Sequence, residues 1–177
     1  GNSRSKTYDL LGRTIAVIDA NGNSTKSTYD QVGNLISQTN KLGHVTKREY
    51  DTLNRLIKTT LPGGIVKEFE YDSVGNQIKE KFPNGEIVEF SYDALNRKIK
   101  AADAKGTIVK LGYNAIGQRI YKENGAGHRT RFKYNPNGKM IENVYPNNST
   151  LSYTYNANGN MLKMTDPTGA QLTFEHD

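Results

Sequence analysis

Tyrosines stand at positions 8, 29, 50, 71, 92, 113, 134 and 155, and every step between neighbours is 21 residues. One further step reaches His176. A fixed period held without insertion marks a repeat array, in which each unit buries its surface against the next. The chain therefore reads as one array over residues 1–177, with units beginning at Tyr8, Tyr29, Tyr50, Tyr71, Tyr92, Tyr113, Tyr134 and Tyr155 and no separate domain.

Two places in each unit are reserved for Gly or Asn. Four residues after the tyrosine come Gly12, Gly33, Asn54, Gly75, Asn96, Gly117, Gly138 and Gly159. Fourteen after it come Gly22, Gly43, Gly64, Gly85, Gly106, Gly127, Asn148 and Gly169. These two residue types share a tolerance of left-handed backbone, so each unit makes two tight reversals. FPNGE, YPNNS and DPTGA place Pro first and Gly or Asn third in the loop, which suits a type I turn closed by a left-handed bulge residue. Between the turns lie segments of about seven residues, such as NQIKEKF and EIVEFSY, that alternate apolar and polar side chains. No window carries a helical period. The predicted fold is all-β: an antiparallel meander of tandem 21-residue β-hairpins, with about sixteen short strands.

Turn geometry predicts that the residue seven after each tyrosine faces the residue two before a tyrosine, across both turns. The resulting apolar ribbon contains Ile36, Ile57, Phe69, Ile78, Phe90, Ile99, Leu111, Ile120, Phe132, Ile141, Leu162 and Phe174, and is interrupted at Ser27 and Arg48. Beside it the tyrosines alternate with Arg13, Asn34, Arg55, Asn76, Arg97, Gln118, Lys139 and Asn160. Planar or cationic groups in that place can stack on the rings, worth about 0.5–1 kcal/mol when exposed. A carbohydrate or nucleobase platform is one use of such a ladder. Because it runs the full array without local elaboration, the structural use is the stronger reading. The opposite face carries Lys47, Glu68, Glu89, Lys110 and Arg131 in one column and Lys58, Lys79, Lys100 and Lys163 in another, as a solvated surface does. With one apolar face and no helix to cover it, the twisted sheet is expected to curl with that face inward. Both end strands then remain open edges, where edge-to-edge self-association or more of a longer parent chain would attach.

Composition narrows the chemistry. Only 34% of residues are hydrophobic, mean hydropathy is -0.74 and there is no Trp, which argues against an ordinary core; eleven Tyr argue against disorder. The net charge of +6 leaves room for an acidic glycan on Lys79, Lys98, Lys100, Lys110, Arg119 and Lys122, with nucleic acid disfavoured, although a solvated basic surface is the plainer reading. Absence of Cys removes disulfides, thiolate catalysis and Cys-based zinc sites. The longest apolar run, IAVI, is too short to cross a membrane. The column Asp9, Asp30, Asp51, Asp72 and Asp93 gives way to Asn114, Asn135 and Asn156 in later units. Asn cannot act as a base, but both types accept backbone N–H groups in turns. His44, His128 and His176 lack metal-ligand spacing, no Ser or Thr has a His-and-acid constellation, and no Gly lies between a strand and a helix. The expectation is a chain with no catalytic residue, metal or cofactor.

The recurring Tyr-Asp-x-x-Gly-Asn/Arg-x-Ile pattern, in register over the whole chain, strongly resembles the YD repeats of the rearrangement-hotspot (RHS) family. That family includes the B and C components of insecticidal Tc toxins, bacterial polymorphic toxins, wall-associated proteins and animal teneurins. The resemblance implies repeats that spiral as one long β-sheet into a hollow shell. In bacterial members such a shell encloses a toxic C-terminal effector; in teneurins it serves adhesion. It further implies a secreted or cell-surface bacterial protein, whose partners are the remaining repeats and the effector of the parent. Departures are the Tyr-Asn units and His176 in place of Tyr, together with the absence of a self-cleaving core region or variable effector domain. DPTG at residues 166–169 sits in an ordinary turn slot. A cell-surface glycan-binding or adhesion module is the alternative reading, and a free-standing β-solenoid without cargo a third.

Overall fold

The computed structural model describes residues 4–176. They form seventeen strands and divide into two compact units between Val88 and Glu89. The first unit holds β1 (Ser5–Tyr8), β2 (Thr14–Ile18), β3 (Ser24–Tyr29), β4 (Leu35–Thr39), β5 (Val45–Tyr50), β6 (Leu56–Leu61), β7 (Ile65–Tyr71) and β8 (Gln77–Lys81). Each pairs antiparallel with the next. The second unit takes in β9 (Ile87–Tyr92, its first two residues before the division), β10 (Lys98–Asp103), β11 (Gly106–Tyr113), β12 (Arg119–Asn124), β13 (Arg129–Tyr134), β14 (Met140–Val144), β15 (Thr150–Tyr155), β16 (Met161–Thr165) and β17 (Gln171–Thr173). These too are joined in sequence by antiparallel pairs.

The turns explain why the strands end where they do. After Tyr50, the N–H of Asp51 donates to the carbonyl of Arg55 at 2.9 Å and the N–H of Asn54 to the carbonyl of Asp51 at 3.0 Å. That closes a three-residue loop whose third member is left-handed, with φ 60° at Asn54. Asn fills this place in two units and Gly in the others because a side chain there is otherwise strained. Two turns depart from the common form. Pro62–Gly64 makes a 3-10 turn, and Asp103 pairs directly with Gly106, shortening that loop by a residue.

The register corrects the sequence expectation on one side of each unit. Across the turns at Gly43 and Gly127 the expected alignment holds: Ser37 faces Lys47 and Tyr121 faces Arg131, which brings Ile36 level with Arg48 and Ile120 with Phe132. Across the turns that follow the tyrosines it does not. Ser27 faces Gln38 rather than Ile36, Arg48 faces Thr59 rather than Ile57, and Phe132 faces Asn143 rather than Ile141. Half of the difference comes from the loop, which sets Tyr50 opposite Leu56, and half from a β-bulge present in every one of these hairpins, where the residue skipped is always the seventh after the tyrosine. Tyr50 pairs with Leu56 and Glu49 with Lys58, leaving Ile57 without an opposite number. Tyr113 pairs with Arg119 and Gly112 with Tyr121, leaving Ile120 out. Such a bulge adds twist and re-aims the side chain. The column expected to anchor regular cross-strand pairs is thus the column of bulges.

Loops and bulges together stagger the sheet. Ser27 lies opposite Gln38 and Gln38 opposite Thr46, so crossing two strands advances 19 residues where the repeat advances 21. Phe132, Asn143 and Leu151 show the same advance in the second unit. Equivalent residues are therefore displaced by one residue per strand.

Neither unit contains a closed core. Ala101, at 6% exposure, is the only buried hydrophobic side chain among the described residues.

Candidate functional site

The face that carries the tyrosines is the one place where every repeat brings specific chemistry together. It is built from the turn outward. The Asp51 carboxylate accepts the N–H groups of Leu53 and Arg55, each at 2.9 Å, which fixes the loop. In units with Asn, the Asn114 side-chain oxygen accepts from Ile116 at 3.2 Å and Gln118 at 2.9 Å. The acid and the amide do the same work, so the column is a set of turn caps. Hydrogen bonding from the Arg55 N–H is the foremost cause holding the Asp51 carboxyl below its usual 3.8; partial burial opposes it, and the Arg55 side chain adds to it. Asp93 is lowered in the same way by Arg97.

Six ladder tyrosines then reach back over the sheet to the preceding repeat. The Tyr29 hydroxyl donates to the carbonyl of Thr14, Tyr50 to Leu35, Tyr71 to Leu56, Tyr113 to Lys98, Tyr134 to Arg119 and Tyr155 to Met140, all at 2.7–3.1 Å. The acceptor is always the residue just before the bulge, so the hydroxyl caps the carbonyl next to the ladder's defect. His176 occupies the same station, with Nε2 2.6 Å from the carbonyl of Met161. Burial pushes the Tyr71 and Tyr155 hydroxyls above their ordinary value.

Three arginines add a second tie. Arg55 Nε donates to Asp51 Oδ2 at 2.7 Å, its Nη1 donates to the carbonyl of Asp72 at 2.9 Å, and its guanidinium lies over the Tyr71 ring, 4.8 Å from the centroid. Arg13 does the same with Asp9, Asp30 and Tyr29, and Arg97 with Asp93, Asn114 and Tyr113. The amides between them reach less far: Asn34 joins Asp30 to Asn54, and Gln118 donates to the carbonyl of Gly138.

Apolar side chains fill the rest of this face. Ile57, Phe69, Ile78, Phe90, Ile99, Leu111, Phe132, Ile141 and Phe174 are half-buried, whereas Ile36, Ile120 and Leu162 are exposed. Polar residues break in. Lys67 pairs with Glu80 at 2.6 Å between the rings of Phe69 and Phe82, and Arg48 Nη1 is enclosed with no hydrogen-bond partner. The other face carries ion pairs, among them Lys58 with Glu49, Lys79 with Glu70 and Lys81 with Glu68 at 3.1–3.3 Å. Exposed pairs of this kind contribute about 0–1 kcal/mol each.

The six cations considered for an acidic glycan are not gathered into one patch. Lys79 lies in the first unit and the other five in the second. Lys122 stands opposite Leu111 on the tyrosine face, while Lys100 and Lys110 face one another on the other side. Lys98 and Arg119 lie over the rings of Phe90 and Phe132, and Lys79 and Lys110 are paired with Glu70 and Glu123. Among the described residues no three His, Cys, Asp or Glu side chains gather as a metal site. Among the described residues no helix is long and apolar enough to cross a membrane.

Sequence reasoning missed two participants. The carbonyl that receives each tyrosine has no side-chain signal of its own. Tyr121, outside the 21-residue file, covers Gly112 on the opposite strand so closely that a Cβ there would meet its ring.

Comparison with known proteins adds three findings. The family model for the teneurin YD-shell matches residues 2–132, and that for the RHS repeat matches residues 134–171. Among solved structures, a Tc holotoxin pore of Photorhabdus luminescens superposes with a TM-score of 0.76 at 19% identity, over 94% of this chain and 11% of that one. A TcdB2-TccC3-Cdc42 crystal structure gives 0.77 at 18% identity, with the same coverage. The chain thus spans about a ninth of the length of the solved chains it matches. No curated protein sequence matches it.

Proposed function

The chain belongs to the teneurin YD-shell family, and on that premise we propose that it is a non-catalytic wall segment whose tyrosine face encloses an effector carried elsewhere in the parent protein. The observation that carries this reading is the open apolar face. Ile, Phe and Tyr side chains line one side of each unit, yet only Ala101 is buried among the described residues. Such a face is stable when it lines an interior, where neighbouring wall or contents exclude water. The stagger of one residue per strand supports the same use. A curling sheet with that offset tilts its strands by roughly 35–45°, and successive courses wind past one another rather than meeting.

The partners under this reading are further repeats of the parent and its effector, and the parent is a secreted bacterial protein. The contents would be a chain held unfolded against a face of mixed apolar and paired-charge character. Acidic glycan binding has less behind it, since its cations are split between faces and engaged by acids and rings.

Limited proteolysis of the full-length parent tests the proposal. An enclosed effector segment is expected to survive while the wall is intact and to be cut once Arg55→Ala and Tyr71→Phe loosen it. Cleavage of that segment at equal rates in both proteins would overturn it.

A further inference from the structure

The two turn edges of the first unit differ in a way that enclosure does not use. Leu11, Val32, Leu53 and Val74 hold the same place, the second residue of the loop after each ladder tyrosine, and are 73, 70, 65 and 68% exposed. Each is fixed at its base, its N–H donating to Oδ1 of Asp9, Asp30, Asp51 or Asp72. The side chains therefore stand off the hairpin ends as a row of aliphatic knobs, with the fully exposed Leu10 beside the first. At the other edge the corresponding residues are Asn21, Leu42, Gly63 and Asn84. The loop itself does not require an aliphatic residue. Asn137 and Asn158 occupy the same place in later repeats, where Gly138 and Gly159 still close the turn at 2.9 and 3.0 Å.

We propose that this aliphatic turn edge is a docking surface for a second copy of the chain, the two rows interdigitating about a two-fold axis. The pitch of the row argues for an identical partner. Two strands and a two-residue stagger separate successive knobs by roughly 12 Å, which leaves a gap one side chain wide. A second row, half a pitch out of step, fills those gaps and spaces aliphatic groups about 6 Å apart, as on one helix face. A flat partner matches no such pitch, and the carboxylates of Asp9, Asp30, Asp51 and Asp72 along the edge, against only Arg13 and Arg55, disfavour anionic lipid or nucleic acid. Five aliphatic side chains at roughly 60–120 Å² each, the area implied by their burial energies, give roughly 600–1,200 Å² over two copies. The upper part of that range clears the bound of about 1,000 Å² for a specific interface. A two-fold contact of one patch on itself is the commonest way such a surface closes.

Sedimentation equilibrium of the intact chain, compared with the V32N/L53N/V74N variant, tests the proposal. Asn is already accommodated at this place, so the variant is expected to keep the far-ultraviolet spectrum of the parent. The parent is expected to show a monomer–dimer equilibrium, and the variant a dissociation constant raised at least about ten-fold. With no native Cys, L53C should oxidise to a disulfide-linked dimer at least about ten-fold faster than N84C at the opposite edge. A parent that stays monomeric overturns the proposal, as does equal association of the variant, which assigns dimerisation to the open face or an end strand. Binding to phosphatidylcholine vesicles that the variant loses, with the chain monomeric, overturns it in favour of lipid. None of these outcomes bears on whether the tyrosine face encloses an effector.

Discussion

The hydroxyl of Tyr50 donates to the main-chain carbonyl of Leu35 at 3.1 Å, across the hairpin between them and beside the bulge at Ile36. The bond ties one repeat to the one before it at the point where the regular ladder is interrupted. Removing the hydroxyl leaves a half-buried carbonyl without that donor while keeping the ring in place. Tyr50→Phe is expected to cost about 0.5–1.5 kcal/mol, the net worth of such a bond. Urea titration followed by circular dichroism reads it, and an unchanged midpoint would show that water replaces the hydroxyl at no cost.

The arginine ties make a different demand. Arg55 is held at once by its own Asp51, by the carbonyl of Asp72 and by the Tyr71 ring. Lysine offers a point charge without the planar fork, so it cannot meet all three together. Arg55→Lys is expected to lose most of what Arg55→Ala loses, roughly 1–2 kcal/mol from an ion pair and a ring contact of about 0.5–1 kcal/mol each. A double-mutant cycle with Tyr71→Leu should return a coupling of about 0.5–1 kcal/mol. Zero coupling would reduce the stacking to mere proximity.

How far the molecule was legible from its letters follows from what repeats. The tyrosine file, the two turn places and the strand alternation are set by residue type at fixed spacing, so the hairpins could be read directly. The bulge could not, because Ile57 looks like any inward β-branched residue and its exclusion from pairing is a property of the backbone. With Tyr50 opposite Leu56 an unbroken ladder would set Arg48 against Lys58; the skipped residue moves that partner on to Thr59 and adds to the stagger of the sheet. The contact between Gly112 and Tyr121 was hidden for another reason: both residues depart from their columns, and a pattern built on recurrence passes over them. The knob row was visible as letters, but its exposure depends on where the loop points its second side chain.

Arg48 stands where other repeats place Phe69, Phe90, Leu111 and Phe132, and its Nη1 is enclosed without a hydrogen-bond partner. A polar group in that state costs more than an apolar one of similar size. Arg48→Leu is expected to stabilise the chain by about 0.5–2 kcal/mol, in the range of other substitutions that restore a local rule. The thermal midpoint should rise. A fall would mean that Arg48 makes a contact in solution worth more than the ribbon it interrupts.

Acid should loosen the array through its turn caps. Asp9, Asp30, Asp51, Asp72 and Asp93 all have carboxyls held below 3.8 in the folded chain. For Asp51 and Asp93 the first cause is the hydrogen bond from the main-chain N–H of the Arg that ends the same turn, Arg55 or Arg97. A group whose folded value lies below its unfolded one contributes fully above the unfolded value. That contribution disappears as pH falls through the folded value, because the unfolded chain takes up protons first. Stability is therefore expected to be level from neutral pH down to about pH 5 and to decline below about pH 4. Replacing Asp9, Asp51 and Asp93 together by Asn keeps an oxygen to cap each loop, as Asn114 does, but removes three titrating groups and their arginine pairs. The triple variant should be less stable at neutral pH and should lose less between pH 5 and about pH 3, a range in which ordinary carboxyls titrate. Urea midpoints measured across that range check both statements. Parallel curves for the two proteins would mean that other carboxylates, not these caps, carry the acid response.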